Sequence, residues 1–365
     1  MRTLVVNAGS SSLKLSVLDQ SDHVVESENL ELHLGRVEED AVRRVIDQNS
    51  PIDAVGHRIV HGGTDFRGPV RVDAGVRDRL EALSDLAPLH QPKSLRALDL
   101  VTSILPSIPA VACFDTAFHA DLPPAAATYA LPAEWRRRWP LRRFGFHGLS
   151  HAYASRRTAG LSGRPIEELR IVSCHLGAGA SLAAVLRGRS VDTTMGFTPL
   201  EGLVMATRSG SVDPGLVLWL EEHTGMPPSE LASTLEHRAG LLGLTGSSDF
   251  AAIVDAASGG DGEAALALEI YVHRLRGAIA AMTAAMGGLD ALVFTGGVGE
   301  HSPTVRARAA SGLAFLGIAL DEDANELART DGELSSAEAD VRTFVVAARE
   351  DLQIAHEVRS VLAGA

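Results

Sequence analysis

Three times along this chain a short apolar run stops at a glycine-bearing turn. Leu4-Val5-Val6 ends in Asn7-Ala8-Gly9-Ser10, Ile171-Val172-Ser173-Cys174 in His175-Leu176-Gly177-Ala178-Gly179-Ala180-Ser181, and Ala291-Leu292-Val293-Phe294 in Thr295-Gly296-Gly297-Val298-Gly299-Glu300. A bounded apolar run of this length reads as a buried strand. Glycine directly after it lets the backbone approach a ligand, so N–H groups can converge on phosphate oxygens. After the third turn, Ser302 and Pro303 suit the N-cap and first position of a helix, whose N-terminus carries a positive dipole end. A single glycine turn is equally an ordinary loop; the recurrence is what points to a phosphate ligand.

Between these runs, helical and strand patterns interleave, which predicts an α/β architecture. Strands are expected at residues 3–6, 13–18, 23–28, 54–60, 110–114, 171–175, 181–186, 291–295 and 343–347. The clearest helix spans Glu263 to Met286, with Leu266, Ile270, Leu275, Ile279, Met282 and Met286 as its apolar stripe. A second begins at Asp351, with Leu352, Ala355, Val358 and Leu362 on one face.

A chain of 365 residues with 45% hydrophobic content exceeds what one core usually serves, so two domains are expected. Its formal charge of -13 argues against nucleic acid as a partner. The basic cluster Arg136-Arg137-Arg138 with Arg142 and Arg143, interleaved with Trp135, Trp139 and Phe144, fits a local anion site or a solvated helix end better. Cys113 and Cys174 form no disulfide framework, and Leu4 to Val6 is too short for an apolar targeting segment. Gly277 to Leu289 is too short to span a bilayer. A soluble, cytoplasmic protein is expected, with no membrane partner.

Four further segments carry polar residues where packing alone would place apolar ones. Gly56-His57-Arg58-Ile59-Val60-His61-Gly62-Gly63 and Phe114-Asp115-Thr116-Ala117-Phe118-His119 put charged groups at strand ends. Phe144-Gly145-Phe146-His147-Gly148-Leu149-Ser150-His151 brings two histidines at helical spacing, and Thr207-Arg208-Ser209-Gly210 follows an irregular loop from Thr193 to Gly202. Each has a plain structural reading: His57 and His61 as core or surface histidines, Arg58 and Asp115 as an ion pair. His147 and His151 have the spacing of zinc ligands but lack a Glu- or Cys-rich partner set. Taken together, Lys14, Arg58, Arg208 and the histidines beside glycine turns point to a local anion site in an acidic protein.

These blocks, in this order and over nearly the whole chain, resemble the acetate kinase family (acetate, propionate and butyrate kinases). The resemblance implies two α/β domains of ribonuclease-H-like, actin-like ATPase topology with a ligand cleft between them. Residues 1–119 with 352–365 would form the N-terminal domain, and 120–351 a C-terminal domain for nucleotide binding and homodimerisation.

The family reaction is reversible phosphoryl transfer from ATP to a short-chain carboxylate, giving an acyl phosphate and ADP. By motif match Arg58 and Arg208 would clamp the carboxylate and the phosphoryl group in flight, the planar guanidinium suiting both. His147 would donate to an equatorial oxygen, and Asp115 would orient an arginine or the substrate. Val60, Leu89, Phe146 and Pro199 match the apolar acyl pocket. Lys14, His175, Gly177, Gly179, Asp249, Phe250, Gly296, Gly297, Val298 and Gly299 match the side that holds the nucleotide. Asn7 and Glu350 would organise Mg²⁺, with Mn²⁺ as an alternative.

Departures from the family pattern fall mostly on the nucleotide side. Ala178 stands where the family usually has Asn, Ala251 where it has a nucleotide-gripping arginine, and His301 and Gln91 where it has Asn. The segment between Leu30 and Ile52 is shorter than the family norm. Three readings stay open on sequence alone: an ATP-dependent acyl kinase, a relative that uses pyrophosphate or another donor, and a non-catalytic binding protein.

Overall fold

The computed structural model describes residues 1–9, 12–31, 38–88, 91–329 and 331–364. The chain divides into two compact units, the first comprising Met1–Ala120, His147–Tyr153 and Arg349–Ala365, the second Asp121–Phe146 and Ala154–Ala348.

The first unit is built on strands β1 (Thr3–Ala8), β2 (Ser12–Leu18), β3 (Val24–Glu31), β4 (Ala54–Ile59), β5 (Val70–Arg71) and β6 (Ala110–Phe114). They form one sheet in the order β3-β2-β1-β4-β6-β5. Leu4, Val5 and Val6 of β1 are at most 1% exposed, because that strand is covered on both faces. On one side lie Val42, Val45, Ile46, Ala97 and Val101, packed with Leu4, Val6, Leu13 and Leu15. On the other, helix Glu350–Ala363 seats Ile354, Ala355 and Val358 on Val5, Ala54 and Val111. A Cβ on Gly56 would lie 2.4 Å from Ile354 Cγ2 and 2.8 Å from Val358 Cγ2, so only glycine lets this helix sit so close to β4. Burying Ile354 and Val358 contributes about 1.5–3 kcal/mol each.

The second unit contains β7 (Arg170–Leu176), β8 (Ala180–Leu186), β9 (Arg189–Thr193), β10 (Ala291–Thr295), β11 (Gly332–Glu333) and β12 (Arg342–Val345), in the order β11-β12-β10-β7-β8-β9. Both sheets follow one plan. An antiparallel run (β1–β3, β7–β9) is joined through its first strand to two parallel strands (β4 and β6, β10 and β12) and finished by a short antiparallel edge (β5, β11). The topology is duplicated although the sequence shows no tandem repeat, because burial pattern and turn positions specify a sheet without requiring identical residues.

The structure departs from the sequence expectations in three places. The strands β5, β9 and β11 are short and half-exposed, with no apolar run to announce them. Helix Gly262–Ala285 buries Ala264, Ala267, Leu268, Tyr271, Val272, Leu275, Ile279 and Met282, while Leu266 is 54% exposed. Close-packing alanines rotate its buried face away from the stripe of large side chains at its N-terminal half. The third glycine segment is itself a short helix, Gly296–His301, followed by helix Pro303–Ser311, whose N-cap Ser302 accepts from Val305 N. The basic cluster divides: Arg136, Arg137 and Arg138 lie on the exposed helix Ala133–Arg138, where the Arg138 guanidinium is 4.6 Å from the Trp139 ring centre, while Arg142 and Arg143 lie beyond it and are half-buried. Among the described residues no helix is long and apolar enough to cross a membrane.

Candidate active site

In the first unit β4 and β6 are parallel neighbours, with Ile59 opposite Phe114, so Arg58 and Asp115 emerge at the same end of the sheet. Arg58 donates to Asp115 Oδ1 from Nε (3.0 Å) and to Oδ2 from Nη2 (2.6 Å). Its Nη1 donates to Asn7 Oδ1 (3.1 Å), and Asn7 Nδ2 donates to Glu350 Oε2 (3.1 Å). Glu350 Oε2 also lies 3.6 Å from Arg58 Nε. Burial pulls the Arg58 guanidinium down, but Asp115 and Glu350 together outweigh it and raise it, so Arg58 stays a cation. One cation against two carboxylates leaves the cluster net negative, which suits a further positive charge.

The same strand end holds the segment around His147. Gly148 N donates to Asp115 O (2.8 Å), and a Cβ on Gly148 would meet that oxygen at 2.3 Å. His147, immediately before helix Gly148–Ser162, has φ of 56°, a left-handed conformation that is uncommon for a residue with a side chain. Its carbonyl accepts from His151 N (2.9 Å). His57 and His61 are interior, and burial pushes both down to about 4. Neither His57 ring nitrogen makes a hydrogen bond, so it is a neutral core residue. Gln91 fixes the backbone of His61, with Oε1 accepting from His61 N and Nε2 donating to His61 O.

Arg208, in the second unit, has a different environment. Its Nη1 donates weakly to Pro199 O (3.4 Å) and lies 3.8 Å from Met205 Sδ. No ion pair reaches it among the described residues, and burial pulls its guanidinium down. Glu236 offsets part of this from a longer range, and a partly desolvated guanidinium with no ion-paired carboxylate suits an anionic ligand.

The same unit contains a pocket of about 480 Å³, within the usual range for small-molecule sites. Gly177, Asp249, Phe250, Gly297 and Val298 line it, together with Ala178, Ala251 and His301, three of the positions that depart from the family pattern. Its wall contains no Arg or Lys. Asp249 caps helix Phe250–Ser258, accepting from Ala251 N and Ala252 N. His175, Gly179, Gly296 and Gly299 do not line the pocket. Lys14 belongs to the first unit, where it is exposed and pairs in register with Asn7. Val60 is buried in the first unit, Phe146 is buried in the second, and Pro199 is half-buried beside Arg208. Leu89, Ser10 and Ser11 lie outside the described residues.

The duplicated sheet, with an arginine–carboxylate cluster in one unit and a pocket edged by Gly177 and Gly297 in the other, has the architecture of two actin-like ATPase domains. The sequence pattern of the Acetokinase family matches residues 22–356. The chain is 41% identical to the acetate kinase of Dictyoglomus thermophilum over 391 aligned positions, covering 98% of each. The crystal structure of Porphyromonas gingivalis acetate kinase superposes with a TM-score of 0.92 at 36% identity, covering 99% of both chains. That of a propionate kinase from Francisella tularensis gives 0.91 at 34%, again over 99% of both. The chain therefore belongs to the acetokinase family, enzymes that phosphorylate a carboxylate at the expense of ATP with a divalent metal.

The family's metal can be tested against the residues present. Among the described residues no group of three or more His, Cys, Asp or Glu side chains could hold a metal by itself. Glu350 and Asn7 instead offer one carboxylate and one amide of a net-negative cluster. That is the donor set of a hard divalent ion that keeps most of its waters, and it fits. Sequence reasoning missed Tyr129 and Glu201, which join across 72 positions near Arg208. Glu201 lies in the irregular Thr193–Gly202 loop and precedes Gly202, which was the available signal, whereas nothing local marks Tyr129.

Proposed function

We propose that this enzyme transfers the terminal phosphoryl group of ATP to acetate or a similar short-chain carboxylate, reversibly, with Mg²⁺. The single observation that carries this reading is the contrast between its two arginines: Arg58 neutralised and aimed by Asp115, Arg208 half-buried with no ion-paired carboxylate among the described residues.

A carboxylate nucleophile arrives deprotonated, so the reaction needs no general base. Catalysis reduces to positioning and charge stabilisation. Arg208 supplies an uncommitted guanidinium to the oxyanions of the phosphoryl group, and Arg58, held in orientation by Asp115, acts on the acceptor. His147, kept in its left-handed conformation beside Asp115 O, donates to an equatorial oxygen. The divalent metal would be held by Glu350 and Asn7 and would neutralise charge on the phosphate oxygens. Val60, Phe146 and Pro199 would face the acyl chain. Such a pocket separates acetate from propionate by only about 1–3 kcal/mol.

The 480 Å³ pocket supports a nucleoside-bearing donor, since pyrophosphate needs no such space. Without Arg or Lys in its wall, the grip on the nucleotide relies on backbone N–H groups and apolar contact with Phe250 and Val298. In this reading residues 1–119 with 352–365 serve the acceptor and 120–351 the nucleotide and homodimerisation, although 147–153 and 349–351 pack within the first unit. Helix Pro214–Thr224 supports a homodimer: it buries no residue, and Leu218 and Trp219 are 61% and 52% exposed. Nothing in the chain favours a compartment other than the cytoplasm.

A donor-by-acceptor matrix tests the reading: ATP, GTP or pyrophosphate against C2 to C4 carboxylates with Mg²⁺, the acyl phosphate trapped by hydroxylamine. The expected result is product with ATP and acetate. Product with pyrophosphate alone would overturn the choice of donor, and no product in any cell would overturn the enzyme reading.

A further inference from the structure

The loop that lies against Arg208 is held by a polar brace. Glu201 accepts from Tyr129 OH at Oε2 (2.5 Å) and from Arg143 Nη2 at Oε1 (2.7 Å). Arg143 Nη1 also donates to the carbonyls of Thr194 and Met195, both at 3.1 Å. Tyr129 OH accepts in turn from Phe197 N (2.9 Å), and Phe144 N donates to Gly196 O (3.0 Å). The segment 194–201 is therefore anchored at Thr194, Met195, Gly196, Phe197 and Glu201, leaving Pro199 between anchors to offer its carbonyl to Arg208. Gly196 belongs to the design: a Cβ there would fall 1.7 Å from Glu201 Oε2 and 2.2 Å from Tyr129 Oη.

We infer that Glu201, with Tyr129 and Arg143, is a positioning device for Arg208. The inference rests on the phosphotransfer reading given above for Arg208 and extends it to residues that touch no substrate. Among the described residues no carboxylate forms an ion pair with Arg208, Glu236 acting on its charge only at longer range, so unlike Arg58 its direction depends on the shape of the loop beside it. The brace fixes that loop through backbone atoms. Glu201 meets both a hydroxyl and a guanidinium, and losing either half lets Pro199 drift. A displacement of about 1 Å in a group that positions a reacting phosphoryl costs roughly a hundredfold in rate.

The test uses the full-length enzyme with Glu201→Gln and Tyr129→Phe, each alone and combined with Arg208→Lys. Each single variant is expected to lower kcat by about 10- to 100-fold, with KM for acetate and affinity for ADP changed less than about twofold. In the Arg208→Lys background the same substitutions should lower kcat little further, because groups acting through one another are not additive. A full additional loss in that background would overturn the inference, as would single variants with unchanged kcat. Hydrogen exchange gives a readout independent of turnover. Amides of 194–202 should exchange faster in Glu201→Gln while those of β7 and β8 do not, and unchanged exchange there would overturn the brace even if wild-type enzyme made no acyl phosphate. Wild-type inactivity with faster loop exchange would instead retain the brace and discard the phosphotransfer reading.

Discussion

Arg58 faces Asp115 through two hydrogen bonds, 3.0 Å from Nε and 2.6 Å from Nη2, with the two side chains 17% and 2% exposed. The pair is a structural joint between β4 and β6 and, in the function proposed above, the means by which a substrate-binding arginine is aimed. Breaking it has two separable consequences.

Asp115→Asn removes the charge and one of the two acceptors. Arg58 keeps Glu350 at 3.6 Å as its remaining carboxylate but loses its two-point charged partner, at a cost of about 1–3 kcal/mol. The expected outcome is a lowered denaturation midpoint together with a loss of acyl phosphate formation of about a hundredfold or more. Unchanged stability would show that solvent or the metal relieves Arg58 more than the geometry implies.

Arg208→Ala should behave in the opposite way on stability. Among the described residues no carboxylate is ion-paired with Arg208, and Glu236, which acts on it at longer range, is itself only half-buried, so removing Arg208 takes away a desolvated charge without orphaning a buried one. The denaturation midpoint should hold or rise while kcat falls by about 10²–10³. A mutant that loses stability along with activity would place Arg208 among the structural arginines.

Acid should weaken the first unit. His57 and His61 are pushed by burial from the usual 6.5 to about 4. Between those values the unfolded chain binds protons that the folded chain refuses, so stability falls as pH drops from 6.5 toward 4. Between pH 7 and pH 5 each histidine should withdraw about 2 kcal/mol. Denaturant titrations of wild type and His57→Gln at the two pH values measure this. An equally steep pH dependence in the variant would assign the effect to other groups.

Ala251→Arg should strengthen the hold on the nucleotide. The pocket wall has no Arg or Lys, and position 251 lies on it at the start of helix Phe250–Ser258. A charge-assisted hydrogen bond is worth about 1.5–3 kcal/mol, so the dissociation constant for ADP should fall about tenfold or more. Calorimetric titration reads it directly, and no change would mean the side chain stays in solvent.

Much of the fold was legible because its signals are local. The apolar runs of β1, β7 and β10, the glycines after them, and the Ser302 cap are each written in fewer than ten consecutive residues. The short edge strands β5 and β11 were not legible, since two-residue pairings carry no pattern. The buried face of helix Gly262–Ala285 was only half legible, because alanines such as Ala264 and Ala267 make the closest packing yet weigh least in an apolar stripe.

The candidate site divides in the same way. By themselves the residues determined that Arg58, Asp115, His147 and Arg208 sit at strand ends or beside glycine turns, since chemistry-bearing residues there have no packing role to explain them. Only the tertiary structure decided how the partners meet: it gave the expected Arg58–Asp115 pair its two-point geometry across 57 positions, put Asn7 in hydrogen bond with Glu350 across 343, and joined Tyr129 to Glu201 across 72, a pairing the sequence did not suggest. It also decided that one arginine is committed and the other is not. The reason is physical: a hydrogen bond acts over about 3 Å in space and is indifferent to separation along the chain. Such pairings leave no periodicity for a sequence to display.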